Sequence, residues 1–413
     1  ADSEDNTTPA GTDAGSTLSF RDPIDLGSKA GPLGTGVAGF GTNCQDSLDD
    51  GDCGLGEPSG EVDGAGNIYV SGVCCLTVAP PVLASRDGGE TFQEMEGDTI
   101  RQAFGIEGDF AIDEVGRMYF ADIEVAATFQ VTVWDADGTY VRHTKWPAPP
   151  LVDRDWIRAE GDGIVYYVYN TGATGTRVYK STDAATTFSP DAIHTVPYGL
   201  GNVAIDPLRE LCLFGGSIES YRSLDCSQDG GITWTTEKSA MPVGGVDSYP
   251  VGAYDENGTL WMAETLTAID GTQFIGVVPR YMDGTWGNLT KLMLFDGFHR
   301  MPWIAAGADG SAAVAWYGKR GNDTQDGDWH LYVAATKDGD RWDIVQADPT
   351  PVFQGALGRD LLDFLQVDLG PEGAVHVAYS RNDGTGPDGN EERLIYVRSE
   401  ASPLAMQDFW LGP

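Results

Sequence analysis

The sequence predicts an all-β chain folded as a seven-bladed β-propeller of four-stranded antiparallel sheets, with six blades as the alternative. Three observations predict it. A hairpin pattern returns about every fifty residues, and a Ser/Thr-x-Asp turn box follows most of its copies. The composition, with 55 Gly and 22 Pro set among Val, Thr, Tyr and Trp, suits short strands joined by tight turns rather than helices.

Seven hairpins can be read in order: EVDGAGNIYVSGV from Glu61, FAIDEVGRMYFADI from Phe110, WIRAEGDGIVYYVYN from Trp156, VAIDPLRELCLFGG from Val203, VGAYDENGTLWMAE from Val251, WIAAGADGSAAVAWYG from Trp303 and FLQVDLGPEGAVHVAYS from Phe364. Asp63, Asp113, Asp162, Asp206, Asp255, Asp309 and Glu372 are taken as the turn residues. Asp and Gly supply the turn, and alternating aliphatic and aromatic residues supply the strands. The box appears as SRDGGETF at Ser85, STDAATTF at Ser181 and SQDGGITW at Ser227, with weaker copies at Trp134, Tyr281 and Thr336. Its Asp can accept backbone N–H groups across the turn, its Gly permits positive φ, and its last aromatic can pack between sheets, so its role is structural.

A hairpin, a third strand, the box and a fourth strand make one sheet, and seven sheets arranged radially cover one another's apolar faces. Residues 18–413 form a single propeller domain. The stretch Leu18–Leu26 is expected to complete the last sheet, with Ala405–Leu411 as the alternative. Residues 1–17, polar and rich in Ser and Thr, are expected to be a disordered leader exposed after removal of a signal peptide.

The chain has 413 residues, 63 of them acidic and 25 basic, and its net charge of −38 excludes nucleic acid as a partner, because phosphate binding needs clustered cations. No apolar run approaches the roughly 18 residues of a membrane span. The acidity suits a saline or calcium-rich exterior, and six cysteines without metal spacing read as disulfides in an oxidising compartment. Cys212 and Cys226 flank one hairpin and are expected to pair; Cys44, Cys53, Cys74 and Cys75 leave three pairings open. The expected location is therefore extracellular or at the cell surface.

The boxes at Ser85, Ser181 and Ser227, set within seven hairpins, resemble the BNR or Asp-box repeats of the sialidase-like propeller superfamily over residues 55 to 400. By that resemblance a sialidase would carry three converging arginines, a Tyr/Glu nucleophile pair, an Asp acid/base and an early Phe/Tyr-Arg-Ile-Pro motif. The nearest match to that motif is Phe298-His299-Arg300-Met301-Pro302, in the sixth repeat and with an inserted His. Arg154, Arg222, Arg280 and Arg359 are further arginines, and nothing in the sequence groups three of them.

Aligned on the turns, the residues entering the inner strands are Ser59, Asp109, Asp155, Asn202, Pro250, Pro302 and Asp363. Carboxylates at Asp109, Asp155 and Asp363 would face one opening, where they could hold a cation or keep one member protonated. Arg154, Tyr249, His299 and Arg300 fall near the same rim. If the protein is an enzyme, Asp155 and Asp109 are the acid/base candidates, with Arg154, Arg300 and Tyr249 to hold an anionic sugar. Asp46, Asp49, Asp50 and Asp52, bracketed by Cys44 and Cys53, are the leading calcium candidates. No organic cofactor is indicated. The function expected first is a glycan- or protein-binding scaffold, with a glycan, a cell-surface protein or an extracellular assembly as its partner. A sialidase-like glycosidase or lyase acting on anionic glycans is the alternative.

Overall fold

The computed structural model describes residues 8–9, 18–27, 55–74, 81–95, 105–124, 128–147, 152–171, 175–245, 249–308, 310–321, 323, 327–357, 361, 364–382 and 392–400. Seven antiparallel sheets follow one another along the chain. Their inner strands are Leu55–Val62, Gly105–Ile112, Val152–Glu160, Val203–Ile205, Val251–Tyr254, Gly297–Ala306 and Gln366–Leu369, which define blades 1 to 7. Each inner strand touches those of its two neighbours, and the ring closes where blade 7 meets blade 1.

Closure is by the N-terminal strand, as the sequence suggests. Ile24–Gly27 forms the outer edge of blade 7, pairing with Arg393–Arg398, and Leu26 is wholly buried beside Leu394 and Tyr396. Ala405–Leu411 lies outside the described residues. Within 1–17, Thr8–Pro9 pairs in parallel with Thr290–Lys291 at the edge of blade 5. No helix among the described residues is long and apolar enough to cross a membrane.

The core lies between blades rather than at one centre. Blades 2 and 3 share Tyr119, Phe129, Val131, Tyr167 and Tyr169, while blades 5, 6 and 7 share a larger cluster around Trp316, Tyr332 and Tyr379. Asp-box aromatics bridge these seams: Phe92 meets Tyr396 of blade 7 edge-on at 5.0 Å, Phe188 stacks on Trp146 of blade 2 at 4.3 Å, and Trp234 stacks on His194 of blade 3 at 4.1 Å. Within the boxes, Asp87 accepts the amide and hydroxyl of Thr91, and Ser85 bridges Asp87 and the Gly89 amide. The boxes at Ser181 and Ser227 repeat this geometry. Cys212 and Cys226 sit opposite each other on neighbouring strands of blade 4 and form the expected disulfide.

The inner hairpin turns correct the sequence alignment. Every turn has a left-handed residue at its fourth position: Gly66, Gly116, Gly163, Arg209, Gly258, Gly310 and Gly373. Counting back three residues gives the turn starts as Asp63, Asp113, Glu160, Asp206, Asp255, Gly307 and Gly370. Blades 3, 6 and 7 are thus displaced by two positions from Asp162, Asp309 and Glu372. The physical reason is that the positive-φ position, and not the acidic residue, fixes where a tight turn sits.

Candidate functional site at the channel mouth

The corrected register changes which residues meet in the channel. Four residues before each turn start stand Ser59, Asp109, Trp156, Asn202, Val251, Trp303 and Gln366. Two residues before it stand Glu61, Ala111, Arg158, Ala204, Ala253, Ala305 and Asp368. The second layer sets two carboxyls and one guanidinium among four alanines, and it lines a cavity of about 210 Å³ along the channel axis.

Above it, a narrower cavity of about 30 Å³ is lined by residues including Glu57, Ser59, Asp109, Arg154, Asp155, Trp156, Trp303, Phe364 and Gln366. At this end the inner strands of blades 1, 2, 3 and 6 each slip register, between Gly56 and Ser59, Gly105 and Gly108, Asp153 and Asp155, and Arg300 and Trp303. Three of these bulges place a non-glycine residue in the left-handed region: Glu57 at φ 44°, Arg154 at 60° and Met301 at 55°. Bulges re-aim side chains, and here two of the three residues, Glu57 and Arg154, line the cavity.

Arg154 is held between two rings, its guanidinium 4.5 Å from the centroids of both Tyr249 and Phe364. Tyr249 remains 41% exposed. Below it, Asp155 is buried and accepts the Tyr167 hydroxyl at 2.8 Å. Burial, with Asp122 and Asp109 nearby, pushes the Asp155 carboxyl well above its ordinary range, and burial does the same to the Tyr167 phenol. Asp109 accepts Arg158 at 2.7 Å and the Ile157 amide at 3.0 Å; burial still raises its pKa despite that pairing.

Deeper in the channel, Asp368 accepts the Val62 amide at 2.6 Å and its carboxyl is pushed up by burial to about 6. Glu61 is held well above its usual value, first by burial and then by Asp368. Three carboxyls therefore share Arg158, whose Nε also donates to the Val203 carbonyl at 2.8 Å. Glu61, Arg158 and Asp368 were not singled out in the sequence. The glycine at the fourth turn position was the signal that would have aligned them.

The structure brings Asp109, Asp155 and Arg154 to one cavity, and Tyr249 lies against Arg154. Arg300 lies over Phe298 and Trp329 of blade 6, 5.6 and 5.9 Å from their ring centroids. His299 is buried, bonded to the Phe295 carbonyl and the Trp316 indole. Arg222 pairs with Glu264, and Arg280 pairs with Glu210 and Glu237. Asp363, Arg359 and the calcium candidates Asp46, Asp49, Asp50 and Asp52 lie outside the described residues. Among the described residues, the one group of three side chains close enough to share a metal is Glu210, Cys212 and Cys226, and its two sulfurs are joined in the disulfide.

No family model and no curated protein matches the sequence. Among solved structures, the chain is similar to the intramolecular trans-sialidase from Ruminococcus gnavus, at 13% identity, over 88% of this chain and 98% of that one, with a TM-score of 0.45. It is similar to AofleA from Arthrobotrys oligospora at 9% identity, over 71% and 86%, with a TM-score of 0.47. It is also similar to the NanB sialidase from Streptococcus pneumoniae at 12% identity, over 85% and 69%, with a TM-score of 0.43. At these identities the likeness is one of fold, and the fold rests on the chain's own sheets: a seven-bladed β-propeller, with Ser-x-Asp turns between the outer strands of blades 1, 3 and 4.

Proposed function

We propose that this propeller is a non-hydrolytic binding module that takes up a carbohydrate at the channel mouth, with an extracellular setting in keeping with its disulfide. The observation that carries the reading is the half-open Tyr249 ring backed by Arg154. An aromatic face held rigid by a guanidinium is a platform for the apolar face of a sugar, and the neighbouring polar groups can meet its hydroxyls. The other arginines support the same reading, since Arg222 and Arg280 are each committed to carboxylates on separate blades. In a glycan-binding panel, Tyr249→Ala should weaken the best ligand roughly tenfold or more while Tyr249→Trp retains it. Equal binding by wild type and Tyr249→Ala would remove the mouth from the reading.

One observation favours an enzyme as the second reading. Asp155 is a buried carboxyl held above its ordinary range beside a tyrosine hydroxyl, which is what a general acid requires. Turnover of anionic glycosides by the wild type, lost in Asp155→Asn with folding intact, would establish this reading and overturn the binding module.

A further inference from the structure

The other end of the channel opens into a chamber of about 680 Å³, roofed by the inner hairpin turns. In four turns the starting Asp is consumed locally. Asp63, Asp113, Asp206 and Asp255 each accept the amide four residues on, at 2.6 to 2.8 Å. Three of them also face the aromatic six residues on: Tyr69 for Asp63, Tyr119 for Asp113 and Trp261 for Asp255.

Blade 3 departs from this at one atom. Its turn starts with Glu160, whose Oε1 accepts the Tyr166 hydroxyl at 2.8 Å, keeping the contact six residues on. The added methylene carries the carboxylate off the turn amides, and Oε2 has no hydrogen-bond partner among the described residues although Glu160 is only 7% exposed. A buried carboxylate oxygen without a donor is costly, so it calls for one from outside the chain.

Glu160 lines the chamber, and so do Glu114, Asp206, Glu256 and Glu372, against a single cation, Arg209, among the described lining residues. Burial raises the Asp206 carboxyl, and Glu372 is also paired with Arg398 at 2.5 Å. Among the described residues no three of the chamber's carboxylates bring oxygens within 4.8 Å of one another, so the lining does not offer the close oxygen shell of a bare metal ion. Between the carboxylates the walls are apolar, formed in part by Ile112, Ile205 and Leu369. Spaced anions on apolar walls match spaced ammonium groups on methylene chains, and the volume is that of a small-molecule site.

We infer that this chamber binds an aliphatic cation carrying several primary ammonium groups, either a free polyamine or lysine side chains, with the Glu160 carboxylate as its anchor. The site lies at the opposite end of the channel from the mouth. Asp155 and Glu160 are five residues apart on one strand, about 17 Å at roughly 3.3 Å per residue.

Titration calorimetry of the full chain at low ionic strength, with spermine in one arm and tetralysine in the other, tests this. Wild type should bind at least one of them one-to-one; spermine alone points to a free polyamine and tetralysine alone to a protein partner. Glu160→Asp keeps the charge but returns the carboxylate to its own turn, as in the other blades, and should weaken binding roughly tenfold or more. Glu160→Gln should do the same, and Arg209→Gly should tighten binding. Tyr249→Ala should leave it unchanged, which separates this site from the mouth. Absence of binding in both arms overturns the inference. So does equal affinity of wild type and Glu160→Asp, because attraction would then come from the net charge of −38 and not from a site.

Discussion

Asp368 shows how one residue can set a pH response. Its carboxyl titrates near 6 in the folded chain against 3.8 ordinarily, because it is buried in the channel layer with Glu61. Between those two values the folded state binds more protons than the unfolded one, so this group adds stability as pH falls from about 7 toward 4. His299 and His376 act the other way. Burial depresses them to about 4 and about 3, so each costs stability as pH falls below 6.5. The Asp368 contribution is therefore read as a difference: Asp368→Asn should raise Tm at pH 7, and its advantage over wild type should shrink as the pH is lowered to 5. A constant difference across that range would show that Asp368 ionises at its ordinary value. The box carboxyls behave oppositely, because Asp87 and Asp229, bonded to their threonines, are held down to about 2 and contribute above 3.8.

Among the elements, the inner hairpin is the unit that repeats, and its fourth turn position is the most constrained. Six blades place Gly there and blade 4 places Arg209 at φ 74°. A side chain in the left-handed region costs roughly 1–2 kcal/mol relative to an unstrained residue, offset in part by the entropy that Gly adds to the unfolded chain. Arg209 is exposed, so little packing is lost on its removal. Arg209→Gly should therefore raise the urea midpoint, by about 0.5–1 kcal/mol in stability, with an unchanged slope. A loss of stability would mean that the Arg209 side chain holds the chamber rim together.

For the whole molecule, the decisive element is the strand that closes the ring. Ile24–Gly27 pairs with Arg393–Arg398 and so completes blade 7 with a strand from before blade 1, and its apolar contact stabilises a closure that no local turn enforces. Leu26→Ala should cost about 2–5 kcal/mol, as expected for a fully buried leucine, and should do so through blades 7 and 1 together. Hydrogen exchange would show this as faster exchange in Val375–Arg381 and Ile68–Val70, with blades 3 and 4 unaffected.

Local patterns in the sequence pointed to the propeller and the Cys212–Cys226 pairing and favoured seven blades and N-terminal closure, with six blades and closure by Ala405–Leu411 left open until the sheets were placed. They are legible because hairpin turns, Asp boxes and strand alternation act within about fifty residues and repeat. The sequence also placed Asp109, Asp155, Arg154 and Tyr249 near one rim. Tertiary structure decided the rest. Which residues share a channel layer depends on a two-residue register between blades, and acidic residues are a poor marker of it because Glu160, Gly307 and Gly370 occupy the position held elsewhere by Asp. The bulges at Glu57, Arg154 and Met301 insert residues that no periodic pattern announces. The buried set of Glu61, Asp109, Arg158 and Asp368 joins side chains from four blades across more than three hundred residues. Such a contact is fixed by the curvature of the ring, and that curvature comes from how seven sheets pack against one another.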